Sequence, residues 1–408
     1  MTAVMADQGL GGQANISGGI SGGQAASAAR QWMRRGFVVA MAMLVAACQT
    51  VVPKGPPTTP TSPEGPVTPG LPTDTQRHRI ALLVPQTGPH ADVGEVLANA
   101  TMMAILDSNT DKLRITTYDT GAGAAAAARR AVADGNKLIL GPLLAEDVSA
   151  VGPIARAAGV PIISFSNDTA VAGNGVYLLG YVPNQSVTRV VQFARSKGLN
   201  RFSAIAPQGA YGDRALAALR TAVAANGGTM VATESYDRSA ASITGAIRRL
   251  SRTGSYDALL IADGAKVAVQ AAPLVRSQSS KTAKILGTEL WNTESQLAGT
   301  PALRGAWFAS VPDQYYSTLA TKYRQRYGKN PYRIASLGYD AVLLTIKMSR
   351  NWKPGTRFPV NNLNAADGFG GIDGIFRFDR RGIADRALEV TEIRAGGFTT
   401  VSPAPTQW

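Results

Sequence analysis

From His78 onward the chain alternates short apolar runs with stretches of helical spacing. "HRIALLVPQTG" reads as a buried strand running into a turn, and Gly94 to Asp107 as a helix, with Ala100, Met103, Ala104 and Asp107 at helical spacing. The strands "LRITTYD", "KLILGP" and "VPIISFS" then alternate with helices near 123–134 and 146–158. Strands this continuously apolar, each followed by a helix, predict βαβ units and a parallel sheet covered on both faces. A second series begins after Tyr181. A helix over 185–197 places Val187, Val190, Val191 and Ala194 on one stripe; then come the strand "FSAIAP", a helix over 211–226 closed by Gly227 and Gly228, and the strand "TMVATESY".

Two segments of these series resemble each other. "LILGPLLAEDVSAVGPIARAAGVPII" and "ALLIADGAKVAVQAAPLVRSQSSKTAKIL" share strand, helix and strand, with Pro153 matching Pro273 and Arg156 matching Arg276, 120 positions apart. The match supports two related lobes, although Ala-rich amphipathic segments also resemble one another by chance. The C-terminal third predicts helices over 313–327 and 332–350, a Gly/Asn-rich crossover, and two strands joined by the tight "DRRG" turn. The expected fold class is therefore α/β and two-lobed, each lobe a parallel sheet flanked by helices. The first lobe is expected to hold 78–181 and 310–366, the second 182–309 and 367–408. The chain would cross between them near 181–184, 309–313 and 365–374, and such multiple crossings make a hinge.

About 330 residues follow His78, more than one hydrophobic core usually organises, which is consistent with two lobes. The one cysteine, Cys48, rules out an intrachain disulfide framework, and a body of that size needs none. Ahead of it stand Arg34 and Arg35 and about ten apolar residues from Phe37. That layout is positive, then apolar, then small, as in a secretory signal. A membrane-spanning helix needs roughly 20 apolar residues, so this run is too short to span. Residues 1–33 include the tract "GLGGQANISGGISGGQ", whose composition could not pack a core. Translation is expected to begin at Met33, with 1–47 being upstream tract and signal. From Gln49 to Gln76 prolines recur, the last six of them, Pro57 to Pro72, at every third residue. Extended at about 3.1 Å per residue, the 48–77 linker could hold the body on the order of 80 Å from its anchor.

The net charge is +14, and Arg30, Arg34 and Arg35 against Asp7 put two of those charges ahead of Cys48, leaving +12 beyond it. A basic body suits an anionic neighbour such as peptidoglycan carboxylates, a lipid head-group surface or an acidic protein face. Aromatic residues are not interleaved with the basic ones, which argues against nucleic acid as a partner. With two histidines, His78 and His90, the chain offers neither a zinc cluster nor a distributed catalytic triad, and no phosphate loop of P-loop spacing occurs. No cofactor or metal is expected, and the chain reads as a non-enzyme.

Val45-Ala46-Ala47-Cys48 resembles the lipobox of bacterial lipoproteins. The resemblance implies diacylglycerol on the Cys48 thiol and cleavage just before it. Gln49, in place of an aspartate, implies the outer membrane. The segments "IALLVPQTGPHADVGEVLANATMMAI", "YGDRALAALRTAVAANGG", "YRIASLGYDAVLL" and "GIFRFDRRGIADR" together resemble type I periplasmic solute-binding proteins, the leucine/isoleucine/valine-binding group, over about 78–400. Within that superfamily "GPLLAEDVSAVGPIARAAGVPIISFSND" is similar to the C-terminal domain of penicillin-binding-protein activator lipoproteins. The resemblance implies docking on a class A peptidoglycan synthase. The well-known activators carry a further helical-repeat domain, whereas here the linker runs straight into the strand at His78.

In open α/β sheets the ligand sits beyond the carboxyl ends of the strands. The candidate wall in lobe one is Gln86, Thr87, Asp119, Gly141, Ser166 and Asn167; in lobe two it is Tyr211, Asp263, Glu289 and Trp291. Asp168 and Asp213 suit helix capping as well as contact. Amino-acid-binding relatives hold the ligand carboxylate with hydroxyl groups and backbone N–H groups where a helix starts after the third strand. Here that loop is Gly141-Pro142-Leu143-Leu144-Ala145-Glu146, without serine or threonine. Tyr211 and Glu289 do fall where relatives place an aromatic and an acid for the ligand's ammonium group. Two functions follow: an activator of cell-wall synthesis docked on a penicillin-binding protein, or a tethered receptor passing an amino acid or other small polar ligand to an ABC permease. A sensor whose cleft reads a wall fragment is a third.

Overall fold

The computed structural model describes residues 74–408. The expectations for Cys48, for a start at Met33 and for most of the Pro-rich linker lie outside the described residues. The first sheet has the order β2-β1-β3-β4-β5 and is parallel throughout. Its strands are β1 (His78–Val84), β2 (Leu113–Asp119), β3 (Leu138–Leu140), β4 (Ile162–Ser164) and β5 (Val176–Leu178). Between them run α1 (Ala91–Asp107), α2 (Ala124–Ala133) and α3 (Ala145–Ala157).

Strand β1 explains why its sequence is apolar without alternation. Ile80, Leu82 and Val84 face one core, shared with α1, while Ala81 and Leu83 face the other, shared with α2 and α3. Buried on both faces, the strand has no polar side to show.

The second lobe carries α4 (Pro183–Ser196), β6 (Arg201–Pro207), α5 (Ala210–Ala225), β7 (Thr229–Tyr236), α6 (Ala240–Leu250), β8 (Ala258–Ile261), α7 (Ala265–Leu274), β9 (Lys284–Gly287) and β10 (Trp307–Ser310). The same two-faced burial recurs: Phe202, Ala204 and Ala206 of β6 meet α4 and α5, and Ile205 faces the core under α6 and α7. A second kinship between the lobes is steric. A Cβ on Gly94 would fall 1.7 Å from the Pro85 carbonyl oxygen, and one on Gly212 would fall 1.8 Å from that of Pro207. In each lobe the helix that follows the opening strand thus starts against a proline just after that strand or at its end, and only glycine permits that approach.

After β10 the chain returns to the first lobe as α8 (Gln314–Tyr327) and α9 (Ala335–Ser349). Helix α9 packs along α1 and is buried nearly all round. Two expectations need correction. The stretch from 367 was expected in the second lobe, but β11 (Phe369–Gly371), β12 (Gly374–Phe378) and β13 (Ala384–Arg386) form a separate antiparallel sheet. Its Phe369, Phe376, Phe378 and Ala384 join the first lobe's core. Three phenylalanines need an apolar surface, and α9 presents one. The last crossing therefore follows Arg386 rather than lying in 365–374. The second sheet is also not purely parallel: β14 (Glu389–Arg394) pairs antiparallel with β10, and β15 (Gly397–Ser402) antiparallel with β14.

Candidate functional site

Beyond the carboxyl ends of β3, β4, β9 and β10 lies a cavity of about 620 Å³ between the lobes. Leu143, Leu144, Phe165 and Asn167 form its first-lobe wall, and the loop from Glu289 to Glu294 faces them from the second lobe. Tyr181, Ser310 and Val311, from the crossing segments, floor it, and Arg333, Ile334 and Leu337 at the start of α9 close one side.

The structure brings Asn167 and Glu289 into this cavity, out of the ten cleft residues expected from sequence. Tyr211 stands directly behind Glu289. Its hydroxyl donates to Glu289 Oε1 at 2.9 Å and lies 2.9 Å from Thr288 Oγ1, while the Ser186 hydroxyl donates to Oε2. Burial raises the Glu289 carboxyl above its ordinary range, and these hydroxyls partly offset that; burial and then the Glu289 charge push the Tyr211 hydroxyl well up.

The other seven do not line it. Asp119 organises the turn after β1: its Oδ1 accepts from the backbone N–H of Gln86 (2.7 Å), Thr87 (3.3 Å) and Gly121 (2.8 Å), and its Oδ2 from the Thr87 hydroxyl (2.7 Å). Gln86 and Asp119 border a separate surface pocket of about 430 Å³. Gly141 has φ +88°, and a Cβ there would sit 2.0 Å from the Leu83 carbonyl oxygen. Ser166 is buried and its hydroxyl accepts from the Asp168 N–H at 3.2 Å. Asp263 is bound by Arg238 (2.9 Å) and the Tyr236 hydroxyl (3.1 Å). Trp291 is a core side chain, fully buried, donating through Nε1 to the Asp263 carbonyl at 2.8 Å. Each of these has a structural partner that local sequence does not reveal.

Sequence reasoning missed the hinge. Asp373, fully buried, accepts from the Tyr181 hydroxyl (2.6 Å) and the Ser336 hydroxyl (2.9 Å). Arg333 Nη2 stands 2.9 Å from Asp373 Oδ1, and Arg386 Nη1 stands 3.7 Å from Oδ2. Arg333 also donates to the Pro312 carbonyl (3.1 Å), and Arg386 to that of Leu179 (2.7 Å). Tyr181 and Leu179 approach the first crossing, Pro312 lies in the second and Arg386 adjoins the third, so all three meet around one carboxylate. The Asp340 carboxyl next to it is raised, first by burial and then by the Asp373 charge. The available signal was Arg333, a charge just ahead of the apolar run that begins at Ile334. Its partner lies 40 positions away.

Away from the hinge an ion pair also spans the lobes. Arg214 Nη1 of α5 lies 2.8 Å from Asp168 Oδ1, which also caps the short turn at Ala170. Of the two histidines, His78 is spent on packing, stacked 4.0 Å from the Trp352 ring. Among the described residues no group of His, Cys, Asp and Glu is placed to hold a metal, and no helix is long and apolar enough to cross a membrane.

This two-lobed body with its cavity at the hinge is matched over residues 78–397 by the model of one protein family, described as periplasmic binding protein. The chain belongs to that family. This periplasmic binding protein is similar in structure to a leucine-binding protein, LivK of Thermotoga maritima. The TM-score is 0.60 at 19% identity, covering 80% of this chain and 98% of that one. It is also similar to LpoA of Haemophilus influenzae, with a TM-score of 0.64 at 17% identity over 81% of this chain and 60% of that one. At such identities the likeness concerns the fold. The uncharacterized protein RP748 of Rickettsia prowazekii is 28% identical over 174 residues, 42% of this chain and 47% of that protein. The chain thus spans about half the length of that curated relative. The family is periplasmic, and the solved neighbours are binding proteins rather than enzymes.

Proposed function

We propose that this periplasmic binding protein is a non-enzymatic, lipid-anchored regulator that docks on a class A penicillin-binding protein and stimulates peptidoglycan synthesis, tethered through Cys48 to the outer membrane. The observation that carries this reading is the start of α3. Carboxylate-binding relatives offer hydroxyl donors there, whereas this chain turns Leu143 and Leu144 to the cavity and puts Glu146 and Asp147 in the helix's first turn. Two acids offset the positive end of the helix that an amino-acid carboxylate would use. The likeness to LpoA, an activator lipoprotein, and the basic body support docking on a protein or on the anionic wall.

A second reading, the receptor of an ABC permease, is favoured by Glu289 on the cavity with Tyr211 behind it and by the likeness to a leucine-binding protein. The test is co-purification with, and stimulation of, a purified class A penicillin-binding protein. Faster glycan polymerisation or crosslinking supports the regulator. No binding, together with a melting rise equivalent to about 2.7 kcal/mol at a hundredfold excess of an amino acid over its Kd, establishes the receptor instead.

A further inference from the structure

The first lobe is polarised along its strands. At their carboxyl ends, toward the cleft, stand acids: Asp92 in the first turn of α1, Asp119 at the end of β2, and Glu146 and Asp147 in the first turn of α3. The amino ends form the opposite face, a floor, and it is basic. Arg79 at the start of β1 adjoins Lys137, whose N–H donates to the Arg79 carbonyl (2.9 Å), and Lys112, ahead of β2, accepts through its carbonyl from the His78 N–H (2.8 Å). The loop after α9 completes the floor. Its Trp352 stacks 4.0 Å from His78, and a Cβ on Gly159, just ahead of β4, would fall 3.5 Å from the Arg357 guanidinium carbon.

Among the described residues Arg79, Lys112, Lys137, Arg350, Lys353 and Arg357 have no ion pair or side-chain hydrogen bond. The acids of the same segments are Asp74, Asp111 and Asp134. Asp74 is taken up by Arg77 (2.5 Å), and Asp134 accepts from the Tyr118 hydroxyl (2.7 Å), which leaves Asp111. Arg350, at the end of α9, suits the negative end of a helix dipole, but Arg79, Lys112 and Lys137 sit at strand starts, where the net dipole is small. Helix chemistry therefore does not account for them. None of the exposed large apolar side chains lies on these segments; Trp352 and Phe358 are buried. The floor thus offers charge without an apolar wedge or an aromatic platform. It is also where the rest of the chain arrives: Asp74 to Arg77 lead into β1, so the apolar run from Phe37 and Cys48 join the body from this side.

We propose that this floor is a membrane-facing surface that binds the headgroup phosphates of anionic phospholipids by charge, without insertion. Each Lys or Arg near such a surface strengthens attachment, and the attraction fades within a Debye length of about 8–10 Å. A basic patch adds the second signal that makes a marginal lipid attachment stable. Docked this way, the lobe turns its cleft end away from the bilayer. The proposal takes from the function proposed above only a membrane attachment ahead of Asp74, and it holds with either partner protein.

The test is flotation of the full chain with vesicles of phosphatidylcholine, alone or with about 30% phosphatidylglycerol. Cys48→Ser is present throughout, so a failed anchor at Cys48 leaves these readings as they are. The partition coefficient is expected to rise at least about tenfold with the anionic lipid at about 50 mM salt, and to lose most of that rise at about 300 mM. Lys112→Gln, Lys137→Gln and Arg357→Gln together are expected to lower partition onto anionic vesicles at least about tenfold, with an unchanged circular dichroism spectrum. Lys266→Gln, Lys281→Gln and Arg304→Gln remove the same charge from exposed positions of the second lobe and are expected to change it less than about threefold. Should the first triple fail to fold, Lys112→Gln with Lys353→Gln, both exposed, is expected to give at least about a fivefold loss. No rise with the anionic lipid, or equal losses in the two triples, would overturn the proposal. So would a floor triple that keeps full vesicle binding but no longer sediments with purified peptidoglycan sacculi, which would assign the floor to the wall.

Discussion

Two carboxylates at the lobe interface, Asp373 fully buried and Glu289 half-buried, are treated in opposite ways. Asp373 sits between two guanidinium groups and two hydroxyls at the meeting of the three crossings. Glu289, in the cleft, has hydroxyls alone. The first charge is balanced from within the protein, so it fixes geometry and asks for nothing further. The second is balanced by nothing in the described chain, so it is the one able to register what enters the cavity. The comparison teaches that burial of a charge is by itself no sign of a binding site. What matters is whether its counter-charge is already present.

The comparison breaks most visibly at Asp373. Asp373→Ala leaves Arg333 and Arg386 buried without their shared partner and is expected to cost about 3–5 kcal/mol in urea unfolding. A cost below about 1 kcal/mol would mean that the hinge charges find other partners. Asp119→Ala, which strips acceptors from three backbone N–H groups and Thr87, is expected to cost about 1–2 kcal/mol in the same unfolding experiment. A cost near zero would mean that the turn after β1 holds without its shared acceptor.

At Glu289 the expected effect has the other sign. Its folded-state pKa is raised, so ionisation is harder in the folded than in the unfolded chain. The wild type therefore loses stability as pH rises from the ordinary carboxylate value through the raised one. Glu289→Gln removes that loss, so the melting temperature of the variant relative to wild type should climb between acidic and neutral pH. A parallel pair of curves would show that the carboxylate is compensated in a way the hydroxyls alone do not explain. The smallest effect belongs to the clasp. Arg214→Ala breaks a part-exposed pair and is expected to cost less than about 1 kcal/mol, yet small-angle scattering should report a wider separation of the lobes. Unchanged scattering would confine Arg214 to surface chemistry.

Much of the architecture was legible because it depends on local rules. The two-faced burial of β1 is written in "IALLV", and the strand–helix alternation in the spacing of apolar residues between turns. The placement of 367–386 was misjudged because Phe369, Phe376 and Phe378 would suit any apolar face, and nothing local says that the face belongs to α9 rather than to the second sheet. Site residues suffered from the same limit. Trp291 and Asp263 lie in loops past strand ends, as ligand contacts do, but their bonds to each other and to Arg238 tie them into the second lobe.

The sequence by itself determined the two series of strands and helices, the family to which they belong, the scarcity of cysteine and histidine, and an acid at Glu289 near the cleft. The strands, helices and residue counts depend on composition and on periodicities of a few residues, and the family and the position of Glu289 on resemblance along the chain, none of which needs knowledge of distant neighbours. Only the tertiary structure decided which acids are compensated, because that depends on whether a guanidinium arrives within about 4 Å from another part of the chain. Asp373 and Glu289 look alike in sequence, and only the arrival of Arg333 and Arg386 at Asp373 marks that one as part of the hinge.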